Sequence, residues 1–361
     1  MNSDRMNTVI KLTSNEDEEQ VSAFLLTNET SLLYHSVRYK KLLEKYLKCK
    51  SYYYIALNSE DEIVGYLPLM IHFNAIYGNI ANSLPFYGSN GSVVLKKNID
   101  DELKQIVTNE LFNTALQTIE QNNCVATTFI TNPLDSYAND WMKVNFNADF
   151  LDSRIGQITH LPENTVIAED ELLKMFDDPR PRNIRKAMKS GVTCYRSNSL
   201  EDMQFLYQVH YDNISAINGV PKEESFFKLI PDCFDENDYK IYIAEKDGKK
   251  IAALLLFYFN KTVEYYTPAV VEEYRNLQPS SLLIFQAMKD AINMGYKNWN
   301  WGGTWLTQSG VYDFKKKWAA VDYPYYYHTK IYNKEILSLS KKILLNNYPN
   351  FFVVSFNQLK K

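Results

Sequence analysis

The chain has 361 residues, 45% hydrophobic and 14% aromatic, and its 39 Lys and Arg stand against 43 Asp and Glu for a formal net charge of −4. Enough apolar surface is present for packed cores, which excludes a disordered chain, and the mild acidity excludes a global field drawing the protein to DNA, so any polyanion contact must be local. Cys49, Cys124, Cys194 and Cys233 show no CxxC or CxxH spacing, so neither a zinc site nor a disulfide framework is indicated, and reduced thiols are expected.

The first twenty residues, MNSDRMNTVIKLTSNEDEEQ, are polar and acidic, unlike a secretory signal. Helices are expected over Glu16 to Leu26 and Val37 to Leu47. Residues 52 to 71, YYYIALNSEDEIVGYLPLMI, read as strand, tight polar turn, strand. An aromatic strand over Ser83 to Leu95 follows, then a helix over Asp101 to Gln121 with the stripe Ile106, Leu111, Ala115, Ile119, and a strand over Cys124 to Thr131. Pro162, Glu163 and Asn164 punctuate the pattern between Leu161 and Ala168, so two domains are expected, residues 1–165 and 166–361.

The second half opens with helical segments over Glu169 to Phe176, Arg182 to Lys189, Leu200 to Ala216 and Lys222 to Ile230. Residues 240 to 259, KIYIAEKDGKKIAALLLFYF, then repeat the earlier pattern: Tyr54-Ile55-Ala56 matches Tyr242-Ile243-Ala244, and Ile63 matches Ile251 at the same offset. A strand over Val263 to Val270 follows, and a helix over Pro279 to Met294, whose Leu282, Phe285, Ala287, Met288, Ala291 and Ile292 form one apolar stripe. Gly295 is its expected stop, before a strand over Asn298 to Trp301. One fold used twice is the simplest reading. The longest apolar run, Ile251 to Phe259, is too short to span a bilayer, and a cytoplasmic protein without a membrane span is expected. The tail from Lys334 to Lys361 is basic and amphipathic and ends in the apolar Phe351 to Val354; a packed helix and strand is the expectation rather than a membrane anchor.

Chemistry concentrates where a strand ends in a glycine pair, Trp301-Gly302-Gly303-Thr304-Trp305, followed by Phe314-Lys315-Lys316-Lys317-Trp318. Paired glycines allow a sharp bend and close approach to a ligand, and the tryptophans can wall a pocket or simply fill a core. Arg180 to Lys189 holds five basic residues in ten, with Arg182, Arg185, Lys186 and Lys189 on one helical face suited to phosphate oxygens, or to plain solvation. His35 reads as a structural histidine. No metal is expected.

These residues, with Leu33-Tyr34-His35-Ser36, Ser83-Leu84-Pro85-Phe86-Tyr87-Gly88, Arg182-Asn183-Ile184-Arg185-Lys186-Ala187 and Glu264-Tyr265-Tyr266, resemble the Fem-type transferases of the GNAT acyltransferase superfamily over roughly residues 31 to 330. The resemblance implies an α/β (α+β) fold of two tandem GNAT-like domains, each a mixed, mostly antiparallel sheet flanked by helices. It implies transfer of an acyl or aminoacyl group onto an amine, the acceptor a cell-envelope or surface-polysaccharide precursor such as a sugar nucleotide or peptidoglycan precursor. The donor would be acyl-CoA or aminoacyl-tRNA, a co-substrate rather than a tightly bound cofactor. Lys315 and Tyr266 then become the catalytic candidates, with Tyr266 on the cleft side of its strand and Tyr265 facing away. Arg182, Arg185, Lys186, His35, Tyr87, Gly302 and Gly303 become the substrate-binding ones. Two departures stand out: Gln278 and Ser280 replace the glycines of the GNAT pyrophosphate loop, and Asn132 precedes Pro133 where some Fem-type enzymes carry an acid. A duplicated scaffold that binds without catalysing is therefore an alternative, as is an aminoacyl-tRNA-dependent enzyme of the peptidoglycan type.

Overall fold

The computed structural model describes residues 8–47, 49–86, 90–163, 169–305 and 307–359. From the N-terminus, β1 (Val9–Leu12) leads through a 3-10 turn into α1 (Glu18–Thr27) and α2 (Val37–Leu47). Strands β2 (Lys50–Ser51), β3 (Tyr54–Leu57), β4 (Ile63–Leu67), β5 (Met70–His72), β6 (Asn79–Asn82) and β7 (Val94–Leu95) precede α3 (Asp101–Gln121), β8 (Cys124–Ile130), α4 (Tyr137–Asn145) and β9 (Phe150–His160). Next come α5 (Glu169–Lys174), α6 (Arg180–Lys189), β10 (Thr193–Ser197), α7 (Leu200–Ala216), α8 (Glu224–Cys233), β11 (Tyr239–Lys246), β12 (Lys249–Phe259) and β13 (Thr262–Val270). The chain closes with α9 (Pro279–Asn293), β14 (Asn298–Thr304), α10 (Ser309–Lys316), β15 (Val321–Ile331) and α11 (Lys341–Asn347).

Two compact units result, one from the residues up to Arg154 together with those from Pro324 onward, the other from Ile155 to Tyr323. These are not the contiguous blocks 1–165 and 166–361, because β15 leaves the second unit and pairs antiparallel with β8 of the first, Tyr327 to Ile331 against Ala126 to Ile130. In the first unit β1, β3, β4 and β7 form one sheet, and β8 is flanked by β15 and by β6, which runs parallel to it and continues into β5 and β2. In the second unit the order is β10, β11, β12, β13, β14 and the end of β9, antiparallel throughout except for β13 beside β14.

The repeat is real at the level of strand geometry. Hairpin β3–β4 shifts register between Ala56 and Leu57, and hairpin β11–β12 shifts it between Ala244 and Glu245, the same offset that relates the two sequences. A long helix lies against each hairpin, α3 on β3 and β4, α9 on β11 and β12. Helix α3 starts on Asp100, whose carboxylate accepts from the Leu103 N–H, with Asp101 and Glu102 favourably placed in the first turn. Helix α9 stops as expected: Gly295 takes φ +80°, the Tyr296 N–H reaches the Ala291 carbonyl and the Gly295 N–H that of Ile292. The apolar stripes cover the sheets, so Leu282, Phe285, Met288 and Ile292 share a core with Trp299, Trp301 and Trp318.

Two expected strands form differently. Among the described residues of Ser83 to Leu95 only β7 forms a strand, because Pro85 lacks an N–H, Phe86 sits at φ +79°, and Gly91 lies so close to Leu84 that an added Cβ would stand 2.7 Å from its backbone nitrogen. Past α11, the tail buries Phe351, Val353 and Val354 without joining a ladder. The Asn82 side chain takes the place of a neighbouring strand, donating to the Phe352 carbonyl and accepting from its N–H, both at 2.8 Å.

Gly65 sets how closely α3 approaches its sheet, since a Cβ there would stand 2.4 Å from Val107 Cγ1 and 2.9 Å from Leu111 Cδ1. Gly65→Ala is therefore expected to destabilise the first unit by about 1–3 kcal/mol through overpacking. Adding Val107→Ala should recover part of that loss, and urea denaturation of the two variants measures both effects.

Candidate active site

In the second unit, β13 and β14 pair in parallel only from Thr262–Asn298 to Glu264–Asn300, after which the pairing stops although both strands run on. On its other side β13 shifts register against β12, Leu255 facing Thr267 and Leu256 facing Tyr265, so Tyr266 is the extra, bulged residue. A parallel pair that separates, beside a bulge, leaves a stretch of strand edge open. Asn213 of α7 engages only the end of that edge, its amide donating to the Val270 carbonyl and accepting from the Val270 N–H.

A cleft of about 630 Å³ opens there, walled by Tyr265 and Pro268 to Val270 of β13, Gln278 to Ser281 at the start of α9, Phe314 and Lys315 of α10, and Arg180 of α6. Arg180, Arg275 and Lys315 supply positive charge, and among the described residues the lining holds no carboxylate. Arg275 is itself paired with the exposed Glu272 at 2.7 Å.

Lys315 is only 6% exposed, and each of its three ammonium protons has an acceptor: the carbonyls of Gly302 (3.2 Å) and Gly303 (3.3 Å) and Thr304 Oγ1 (2.8 Å). Thr304 passes its own proton to Gln157 Oε1, and Gln157 Nε2 donates to the Tyr312 carbonyl, one turn before Lys315 on α10. Burial pulls the Lys315 pKa from 10.5 down to about 8. The glycine pair thus has two jobs: Gly302 takes φ +72° for the bend, and both carbonyls point at the lysine. From the other side Asn300 fixes the bend, accepting from the Gly302 N–H at 2.9 Å and donating to the buried Glu264 at 2.9 Å.

Arg180 lies 4.3 Å from the Phe314 ring and 5.6 Å from that of Trp318, donates to the Phe314 carbonyl, and keeps a buried Nε without a hydrogen-bond partner among the described residues. Burial lowers its pKa. At the start of α9, Gln278 adopts the left-handed conformation (φ +62°, ψ 39°) that a glycine would take freely, held by its own Nε2 on the Arg275 carbonyl. No side chain caps this helix start; Pro279 has no N–H to offer and the Ser281 N–H is taken by the Gln278 carbonyl at 3.1 Å.

Residues 180–316 match the family model described as the GNAT acetyltransferase domain. The second unit carries a GNAT domain. Solved structures with the same architecture include FemX, 14% identical over 91% of this chain and 98% of that one with a TM-score of 0.71. They also include a tandem GNAT protein from the clavulanic acid biosynthesis pathway, 9% identical over 91% and 99% with a TM-score of 0.56. A third is the C-terminal domain of a putative lysylphosphatidylglycerol synthetase from Agrobacterium fabrum, 14% identical over 91% and 96% with a TM-score of 0.52. At these identities the likeness is one of fold, FemX-like and tandem-GNAT. No curated protein matches the sequence.

Of the residues singled out from sequence, the second unit brings Lys315, Gly302 and Gly303 together, with Lys315 lining the cleft and the two glycine carbonyls on its ammonium. The two tyrosines exchange places with respect to the expectation: Tyr265 lines the cleft and packs on Trp301 (4.8 Å between ring centroids), because it shares a face with Val263. Tyr266 stacks on Phe226 of α8, meets Phe257, and lies 5.2 Å from Lys222 Nζ. Arg182, Arg185 and Lys186 are exposed along α6 with Lys189 and line a separate open groove of about 460 Å³. His35, in the first unit, is fully buried and accepts from the Leu32 N–H; burial lowers its pKa to about 4, so it is a neutral turn-closing group. Tyr87 lies outside the described residues. Asn132 is buried and structural, donating to the Thr30 carbonyl at 2.7 Å. Arg180 is the residue that periodicity set aside: it is off the exposed face of α6, and the Asp177 N–H bond to the Lys317 carbonyl brings its turn against α10.

Between pH 8 and pH 10.5 the unfolded chain keeps a proton on Lys315 that the folded chain has released, so this residue's contribution to stability rises with pH across that window. In Lys315→Met the rise disappears. The gap in melting temperature between wild type and variant should therefore widen in favour of wild type from pH 7.5 to pH 10, and a constant gap would place the Lys315 pKa outside this range.

Proposed function

We propose that the chain is an N-acyltransferase that moves an acyl or aminoacyl group from an anionic donor, held in the second-unit cleft, onto an amine of a cell-envelope or surface-polysaccharide precursor. The observation that carries this reading is the charge of the cleft. Its first-unit counterpart, a cavity of about 380 Å³ where β7 meets α3, is lined by Glu60, Glu62, Asp100 and Glu102 with Lys96, and Asp100 already caps the helix. The second-unit cleft has Arg180, Arg275 and Lys315 and an uncapped helix start. A phosphate-bearing donor such as acyl-CoA suits the second and is repelled by the first.

The reaction needs little from the protein. The amine nitrogen attacks the thioester or ester carbonyl, its N–H proton departs to solvent or a base, the carbonyl electrons collapse back, and the thiolate or alkoxide leaves and gains a proton. Lys315 supplies positive charge at the wall where the oxyanion develops, and its clamp on Gly302 and Gly303 holds that wall in place. The open edge of β13 can pair with the amide groups of an extended donor arm as a neighbouring strand would.

A second reading, aminoacyl-tRNA as donor, is favoured by one feature: Arg182, Arg185, Lys186 and Lys189 stand in a row on α6 with no ion pair among the described residues. That reading makes affinity fall steeply with salt.

Acetyl-CoA at 100 times its Kd is expected to stabilise the protein by about 2.7 kcal/mol, read as a rise in melting temperature. Arg180→Gln should weaken that binding by roughly tenfold or more through loss of a charged donor. If neither acetyl-CoA nor aminoacyl-tRNA shifts the melting curve or yields transfer to an amine, the enzyme reading is wrong. In a transfer assay, the working form is protonated Lys315, so kcat should decline as pH rises through about 8. Lys315→Arg, always protonated, should move that decline upward.

A further inference from the structure

The first unit bears a surface that the chemistry of the second does not use. The loop joining β5 to β6 presents Phe73 at 49% exposure and Ile76 at 77%, large apolar side chains at a turn where water is the default neighbour. That loop is held rigidly. The Tyr348 hydroxyl donates to the Gly78 carbonyl at 2.8 Å, and Asn74 Nδ2 lies 3.3 Å from the Asn347 carbonyl. Both partners are at the end of α11, so loop and helix form one surface. On α11 the side chains of Lys341, Lys342 and Leu345 are exposed beside the buried Leu344. Lys341 reaches 4.8 Å from the ring of Phe356, itself 44% exposed, and Ile76 shares a hollow of about 480 Å³ with Leu339. Lys334, Lys341 and Lys342 make no ion pair among the described residues.

We propose that this face docks on an anionic phospholipid surface, the lysines facing the headgroups and Ile76, Phe73 and Leu345 entering the interface. Charge complementarity selects the occupant: Lys341 and Lys342 make no ion pair among the described residues, so an acidic lipid surface complements them, whereas a second copy docked through the same face would set lysine against lysine. Apolar side chains flanked by lysines are the composition that a headgroup layer accommodates. No described helix is long and apolar enough to cross a membrane, so attachment would be peripheral and reversible. Docking does not depend on which donor the cleft takes.

The test is sedimentation of the full chain with vesicles of phosphatidylglycerol mixed into phosphatidylcholine, against phosphatidylcholine alone. Binding is expected only to the anionic vesicles, falling with added salt as screening requires. Ile76→Ser with Phe73→Ser, and separately Lys341→Glu with Lys342→Glu, should each reduce the bound fraction by roughly tenfold or more. All four positions are exposed, so an unchanged melting temperature shows that the variants fold. Arg182→Glu with Arg185→Glu on α6 should leave vesicle binding intact. The proposal is overturned if the wild type ignores anionic vesicles, if the α6 variant rather than the loop and α11 variants loses binding, or if light scattering shows a dimer that Ile76→Ser dissolves. Acetyl-CoA binding, measured on the same preparations, separates this outcome from failure of the enzyme reading.

Discussion

A buried ammonium on three uncharged oxygens organises the second unit. Moving Lys315 out of water is unfavourable, and its three acceptors offset that cost only while Gly302, Gly303 and Thr304 keep their bend. The requirement propagates outward. The bend needs a positive φ at Gly302, Asn300 and Glu264 to brace it, and Gln157 to return the hydrogen-bond chain to α10. A side chain added at Gly302 would meet nothing within 4 Å, so backbone conformation, not crowding, makes glycine necessary there. Strand end, helix and cleft wall therefore stand or fall together, and the positive charge at the wall is a by-product of what keeps the wall in shape.

The two units show how one hairpin-and-helix plan yields opposite electrostatics through few residues. The register shift after Ala56 recurs after Ala244, and each hairpin carries a long helix. What differs is the helix start. In the first unit Asp100 fills the space in front of α3 with its own carboxylate, whereas Pro279 follows an uncapped, left-handed Gln278 in the second. A carboxylate and a bound anion compete for the same N–H groups, so a single cap residue decides whether a helix start is finished or available.

Much of this was legible in the chain. The helices Val37–Leu47, Asp101–Gln121 and Leu200–Ala216 have the expected ends because periodicity and caps agree there. The glycine pair and Lys315 were visible because their spacing is unusual. The face of Tyr265 and Tyr266 was not, since alternation says that neighbours oppose each other but not which side the covering helices take, and a bulge at Tyr266 interrupts the count. Arg180 escaped for a related reason: the period of α6 ranks it by its distance from the exposed stripe, while its burial is decided by Phe314 and Trp318, more than 130 positions away in sequence. Contacts of that range leave no local pattern. The return of β15 to β8 was hidden likewise, because a strand's partner is chosen by topology and not by its own residues.

Gln278 bears on how loop sequence and loop function relate. Glycines at a phosphate-binding turn serve two ends, a left-handed backbone and the absence of a side chain. Here the first is retained, at φ +62°, and the second is given up, the side chain folding back onto the Arg275 carbonyl instead of projecting into the cleft. A left-handed non-glycine residue costs on the order of 1 kcal/mol, a strain that persists only where the surroundings hold it. At the start of α9, beside a cationic cleft, a glutamine thus takes the backbone shape that a glycine would supply. A search for the glycine motif passes over such a site; the backbone angles and the sign of the surrounding charge find it.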